Sequence, residues 1–107
     1  MPYRSLHERL IATILGPSGV TGAEVRRAAL ERAKGMRAAS DGLPKDLAGY
    51  VDTVARHAYK VTDADVAALQ RGHSDDALFE ITVVAAVGAA LHRLDRGMAA
   101  LRGEEPD

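Results

Sequence analysis

The chain has 107 residues, a length that fits one domain able to bury a single core without a metal or a disulfide. Only 4% of the residues are aromatic and 47% are hydrophobic, which favours an alanine-rich helical protein over one built from strands. The formal net charge of −1 gives no overall attraction to nucleic acid or anionic lipid, and the absence of cysteine excludes disulfides, thiolate nucleophiles and zinc–thiolate sites. The sequence therefore predicts a single all-α domain over residues 1–107.

Two helices are predicted in the first third of the chain. Ser5 is a candidate N-cap of the first helix and Thr21 of the second. The basic run from Arg26 to Arg37 is interpreted as a solvated face of the second helix, so nucleic acid is not an expected partner. The apolar stripes are Leu6, Leu10, Ile11, Ile14 and Leu15 in the first helix and Val25, Ala28, Ala29, Leu30, Ala33 and Met36 in the second.

Two further helices follow the break at residues 41–44. Pro44 fits the first turn of a third helix that should end near Lys60. Thr62 and Asp65 have the spacing of a capping box, which predicts a short fourth helix from about Asp63 to Arg71. Together with a long final segment, the sequence predicts about five helices.

The fifth helix is predicted to begin after Ser74 and to continue to about Arg102, roughly 40 Å at about 1.5 Å per residue. A seam at alternating spacings of three and four residues indicates tight helix pairing, so we expect a homo-oligomer formed through this helix. The alternative, a core helix of a monomer, fits the same periodicity. The seam comprises Val84, Val87, Leu91, Leu94, Met98 and Leu101. Residues 103–107 are expected to form a frayed tail.

The sequence predicts neither a signal peptide nor a membrane span. The first residues, MPYRSLHERLIATIL, lack the basic start and continuous apolar core of a signal peptide. The apolar stretch around Glu80 is judged shorter than about 18 residues and carries a charge, so a membrane span is not expected. We therefore expect a soluble, cytoplasmic protein.

The stretch from Tyr50 to Leu101 resembles the alkylhydroperoxidase-D-like and carboxymuconolactone decarboxylase superfamily. The resemblance rests on YVDTVARHAYKVTDADVAALQRGHSDDALFEI and on the alanine-rich helix that follows. The segment GHSDDAL, residues 72–78, fits the family's Gly-x-Ser helix start. The resemblance implies an all-α bundle with a long C-terminal helix.

The peroxidase members of that family carry a C-x-x-C pair, and the family spacing places its two cysteines at His57 and Lys60, with Tyr59 matching. The family's histidine would fall at Ala64, and its glutamate near Lys45. Peroxide reduction in the family needs a reactive thiolate and a second, resolving thiol. The resemblance therefore implies the fold but argues against thiol peroxidase activity.

Glu80 is the first candidate catalytic residue, because it is the one carboxylate inside the apolar stretch ALFEITVVAAVGAAL. Burial among aliphatic side chains would raise its pKa, as a general acid or base requires. The alternative places Glu80 at an edge of the bundle, facing water or an arginine such as Arg56 or Arg71.

His57, Tyr59 and Lys60 are the other candidate catalytic residues, since they could supply a proton shuttle, a hydroxyl donor and an ammonium group. They could equally be ordinary residues of a last helical turn. No spacing typical of a metal or cofactor site is present. Two hypotheses follow: a small-molecule or lyase-like site that unites these residues with Glu80, and a non-catalytic oligomeric scaffold or partner-binding module on the same fold.

Overall fold

A computed structural model describes residues 2–16, 19–35 and 42–103 of the chain, with side chains from residue 5 onward. Within these ranges the protein is all-α, as predicted, and contains five helices and one short turn of 3-10 helix. The elements are α1 (Pro2–Ile14), α2 (Ala23–Ala33), α3 (Lys45–His57), the 3-10 turn (Ala58–Lys60), α4 (Asp63–Gln70) and α5 (Asp75–Leu101). The predicted positions Met36 and Arg37, and most of the predicted tail, lie outside the described residues.

The starts of the first two helices differ from the prediction. Helix α1 begins at Pro2, so Ser5 lies inside the helix instead of capping it. Proline is well suited to the first helical position, because its fixed φ matches the helix and it has no amide hydrogen to leave unpaired. Helix α2 has Gly22 at its N-cap without a side-chain cap, and the hydroxyl of Thr21 donates instead to Glu80.

The starts of α4 and α5 match the prediction closely. Thr62 and Asp65 form a reciprocal capping box, with both hydrogen bonds at 3.1 Å. The hydroxyl oxygen of Ser74 accepts a hydrogen bond from the backbone amide of Ala77 at 3.1 Å and caps α5. Such helix starts can be predicted from sequence because the side chain that accepts hydrogen bonds from the first amides of the helix lies only a few residues away.

Helix α5 is the central element, and it packs mainly against α2 and α3. Gly88 lies where α5 crosses α2: a Cβ atom at this position would be 2.7 Å from Cβ of Ala33 and 2.9 Å from the carbonyl oxygen of Leu30. The glycine therefore permits the close approach of the two helices. The buried core is Ala28, Ala29, Leu30, Ala33, Leu43, Leu47, Val51, Ala55, Leu69, Leu78, Ile81, Val84, Ala85, Ala89 and Leu91.

The seam predicted on α5 leaves the core along its length. Val84 and Leu91 are buried, whereas Leu94 is 40% exposed and Leu101 is 81% exposed. A spacing of 3.5 residues drifts around a straight helix of 3.6 residues per turn, so the end of the seam turns away from α2 and α3. The last part of this helix is left with an apolar surface.

The length argument against a membrane span was wrong. Helix α5 has 27 residues and a window of mean hydropathy 1.6, so on length and composition it could cross a membrane. The apolar character extends well beyond the stretch around Glu80. In this structure 39% of that window is buried against the rest of the protein, and the core helix of a soluble protein meets the same criteria.

Candidate functional site

The carboxylate of Glu80 lies against the connection between α1 and α2. Its Oε1 accepts hydrogen bonds from the amide of Thr21 at 2.9 Å and from the hydroxyl of the same residue at 2.8 Å. Its Oε2 accepts a hydrogen bond from the amide of Val20 at 2.5 Å. Both oxygens are thus occupied by groups of one short segment, which Glu80 fastens to α5.

Arg26 holds the same segment from its other side. The residue is only 5% exposed, and its guanidinium donates to the carbonyl oxygen of Ile14 at 2.7 Å and to that of Thr21 at 3.2 Å. A Cβ atom on Gly19 would lie 2.9 Å from both the guanidinium carbon of Arg26 and Oε1 of Glu80. The chain can pass between the two charged side chains because residue 19 is glycine.

The hydrogen bonds lower the pKa of Glu80. The amide of Val20 has the largest effect, the amide and hydroxyl of Thr21 and the positive charge of Arg26 act in the same direction, and partial burial opposes them. Donors that point at a carboxylate favour its charged form. The expectation that aliphatic surroundings raise this pKa was therefore wrong. The alternative expected water or an arginine beside Glu80; the arginine near it is Arg26, whereas Arg56 is paired with Asp52 at 3.2 Å.

An open cleft of about 190 Å³ adjoins Glu80. Thr13 of α1 and Arg26 of α2 contribute to its walls, together with Phe79 and Val83 of α5. The cleft is not lined by His57, Tyr59 or Lys60. A cleft beside Glu80 exists, but it does not contain the predicted group of four catalytic residues.

His57, Tyr59 and Lys60 lie together at the end of α3 and in the 3-10 turn. The rings of His57 and Tyr59 meet edge to face at a centroid distance of 5.9 Å, and Nζ of Lys60 lies 6.0 Å from the centre of the tyrosine ring. All three side chains are exposed, Tyr59 to 80%. The structure therefore brings these three residues near one another on the surface, without a cavity around them among those described.

A second polar cluster, which the sequence analysis missed, ties the α4–α5 turn to α3. The Nε2 atom of His73 lies 2.8 Å from Oδ2 of Asp46, and this contact is the main reason why the pKa of Asp46 is lowered. Asp46 also borders a groove of about 390 Å³ between α3 and α4. Among the described residues, no three His, Cys, Asp or Glu side chains are grouped so that they could hold a metal ion.

Arg26 is the residue whose role the sequence analysis misjudged most. It was interpreted as part of a solvated basic face, yet it is buried, while the adjacent Arg27 is exposed. A signal was available: Arg26 precedes Ala29, Leu30 and Ala33 by three, four and seven residues, which places it on the apolar face of α2. An arginine on such a face needs acceptors, and the carbonyl groups of the α1–α2 connection supply them.

Comparison with known proteins gives no assignment for this arrangement. No protein-family model, no curated protein and no solved structure matches the chain. The family relationship drawn from the segment between Tyr50 and Leu101 therefore stays a prediction.

Proposed function

We propose that the protein is a non-catalytic helical module that associates with a second copy of itself through α5. The observation that carries the proposal is an apolar stripe on the outer face of this helix, called the outer stripe below. Its large side chains are exposed, from 37% at Val83 to 81% at Leu101, and its positions recur every three or four residues from Phe79 to the end of the helix. The outer stripe consists of Phe79, Val83, Ala86, Ala90, Leu94, Gly97 and Leu101.

The outer stripe has the properties of a surface that another helix covers. Phe79 is 70% exposed and Leu101 is 81% exposed at its two ends, and no polar residue interrupts it. At 100° per residue its seven positions span a sector of about 80°, the width expected for a seam between two helices. Continuous exposed apolar surface of this kind marks interaction sites in proteins.

The contacts of Glu80 favour this proposal over catalysis. A general acid or base needs a free oxygen and a pKa near the working pH, whereas both oxygens of Glu80 already accept hydrogen bonds and its pKa is lowered. The residue acts as a clamp on the α1–α2 connection. An origin from the alkylhydroperoxidase-D-like superfamily, without its thiols, is compatible with such a role and belongs to the same proposal.

A small-molecule or lyase-like site is the second candidate function. The cleft of about 190 Å³ between Thr13, Arg26 and Phe79 favours it, because an arginine and an aromatic side chain there could hold a small anion. A variant with Phe79 changed to Trp would report on this cleft, since its fluorescence should change on addition of small carboxylic acids. If the fluorescence spectrum does not change at millimolar concentrations of these acids, the cleft does not bind small carboxylates.

Light scattering coupled to size-exclusion chromatography tests self-association directly. The wild-type protein should elute as a dimer or larger species at about 100 μM, and Leu94→Glu should be a monomer, because a carboxylate would be buried in the contact. His92→Glu is the matched control: it adds the same negative charge at an exposed position of α5 outside the outer stripe, and it should leave the oligomer unchanged. A monomeric wild-type protein would refute the proposal.

A further inference from the structure

We infer that two copies of the chain pair through α5 in antiparallel orientation, with the twofold axis at Ala90. The inference rests on the proposed self-association and adds to it the orientation and the register of the two helices. It is carried by a symmetry in the outer stripe: its positions lie at equal distances before and after Ala90.

The symmetry matches a large side chain with a small one in two of its three pairs, and joins two large side chains in the outermost pair. Residues eleven positions away from Ala90 are Phe79 and Leu101, and those seven positions away are Val83 and Gly97. In an antiparallel pair centred at Ala90, each residue faces its counterpart at the same distance on the partner. Val83 then faces the partner's Gly97, and Phe79 faces the partner's Leu101.

The innermost positions follow the same rule. Ala86 and Leu94 lie four residues before and after Ala90, so each leucine faces an alanine of the other copy, and Ala90 faces itself. Large side chains that alternate with small ones across a contact interdigitate and fill space efficiently. Small residues at the centre also allow the two helix axes to approach closely.

Parallel pairing lacks this complementarity. In register, it would place Gly97 against Gly97 of the partner and Phe79 against Phe79 of the partner, leaving a gap at one point and crowding at another. Gaps and crowding both weaken a packed contact. The outer stripe is therefore suited to the antiparallel arrangement.

The helix dipoles favour the same orientation. Antiparallel pairing opposes the dipoles of the two α5 helices, whereas parallel pairing would align them.

The size of the contact sets the expected affinity. The outer stripe extends over 22 residue steps, about 33 Å at about 1.5 Å per residue. Its seven residues are far fewer than the roughly 20–30 residues that each partner contributes to a standard interface. We therefore expect a dimer that dissociates at micromolar concentrations.

Disulfide cross-linking can fix the register, because the native chain has no cysteine. Three single variants are compared after mild oxidation at about 100 μM: Ala90→Cys, Ala86→Cys and His92→Cys. A disulfide requires the two Cα atoms to be within about 7 Å. Ala90→Cys should give covalent dimers at least tenfold faster than the other two, since only position 90 faces itself across the axis.

Cross-linking between two different cysteine variants completes the test. Ala86→Cys and Leu94→Cys should cross-link with each other when mixed, at a rate similar to that of Ala90→Cys and well above that of either variant alone. Rapid self-cross-linking of Ala86→Cys would instead indicate parallel helices and overturn the register while leaving self-association intact. Circular dichroism of each variant verifies that its helices are formed.

Two outcomes would remove both proposals together. One is a wild-type protein that is monomeric in light scattering, with all cysteine variants cross-linking equally slowly. The other is flotation of the monomer with phosphatidylcholine vesicles containing one fifth phosphatidylglycerol, which would identify the outer stripe as a lipid-facing surface. Dimers in solution together with no flotation support association between two copies.

Discussion

Glu80 and the exposed group of His57, Tyr59 and Lys60 are candidate catalytic residues of the same chain, but their surroundings differ. Glu80 has three hydrogen-bond donors from Val20 and Thr21 around it. The three residues at the end of α3 have ring and charge contacts with one another and face solvent. The difference shows that a polar residue in an apolar stretch can mark a structural clamp, and that a plausible set of chemical groups can lie on an open surface.

Replacement of Arg26 should have the largest effect. Arg26→Ala removes the donors to the carbonyl groups of Ile14 and Thr21 and empties the space of a buried side chain. We expect a loss of about 3 kcal/mol in the free energy of unfolding, measured by urea titration, because two partly buried acceptors lose their donor and a cavity forms. Arg27→Ala is the matched control on the exposed side of α2 and should change it by less than about 0.5 kcal/mol.

Loss of the Glu80 carboxylate should have the next largest effect. Glu80→Gln keeps the shape of the side chain but replaces one acceptor oxygen by an amide donor, which would oppose an amide hydrogen of Val20 or Thr21. The expected loss is about 2 kcal/mol, the usual size for a hydrogen bond to a charged group. Glu8→Gln, on the exposed surface of α1, should be close to neutral. Equal stabilities of the two variants would contradict the clamp.

Acid should separate Glu80→Gln from the wild-type protein. The pKa of Glu80 is lowered in the folded protein, so its contribution to stability is fully present above the ordinary value of 4.5 and is lost as the pH falls through the lowered value. The free energy of unfolding of Glu80→Gln should therefore decline less steeply than that of the wild-type protein between about pH 5 and pH 3. Asp46 and Asp52, whose pKa values are also lowered, titrate in both proteins, so the difference between the two curves isolates Glu80. Parallel curves would show that the carboxylate is not held by these donors.

Local signals in the sequence predicted much of the fold. Ser74 and the pair of Thr62 and Asp65 marked the starts of α5 and α4, because a cap depends on residues a few positions apart. Ser5 failed as a cap because proline at position 2 allows the helix to begin earlier. Gly88 gave no signal for the close approach of α2 and α5, which depends on residues more than 50 positions apart.

The candidate site could not be predicted in the same way. Glu80 was identified from its apolar neighbours in sequence, but the sign of its pKa shift depends on the amides of Val20 and Thr21, which are about 60 residues away. Backbone donors leave no trace in the residue types that provide them. Arg26 could have been recognised from its place on the apolar face of α2, whereas its acceptors could not.

The smallest effect is expected from the exposed group. Tyr59→Ala should alter the free energy of unfolding by less than about 0.5 kcal/mol, because the side chain is 80% exposed and its contacts with His57 and Lys60 lie on the surface. Tyr50→Phe is the informative contrast: the hydroxyl of Tyr50 lies 2.6 Å from that of Thr82 on α5 and is partly buried, so its loss should cost about 1 kcal/mol. Urea titration of both variants should show a larger loss of unfolding free energy for Tyr50→Phe than for Tyr59→Ala. If Tyr59→Ala lost as much unfolding free energy as Glu80→Gln, the side chain of Tyr59 would have to be packed against the protein. His57, Tyr59 and Lys60 would then again be candidates for a functional site.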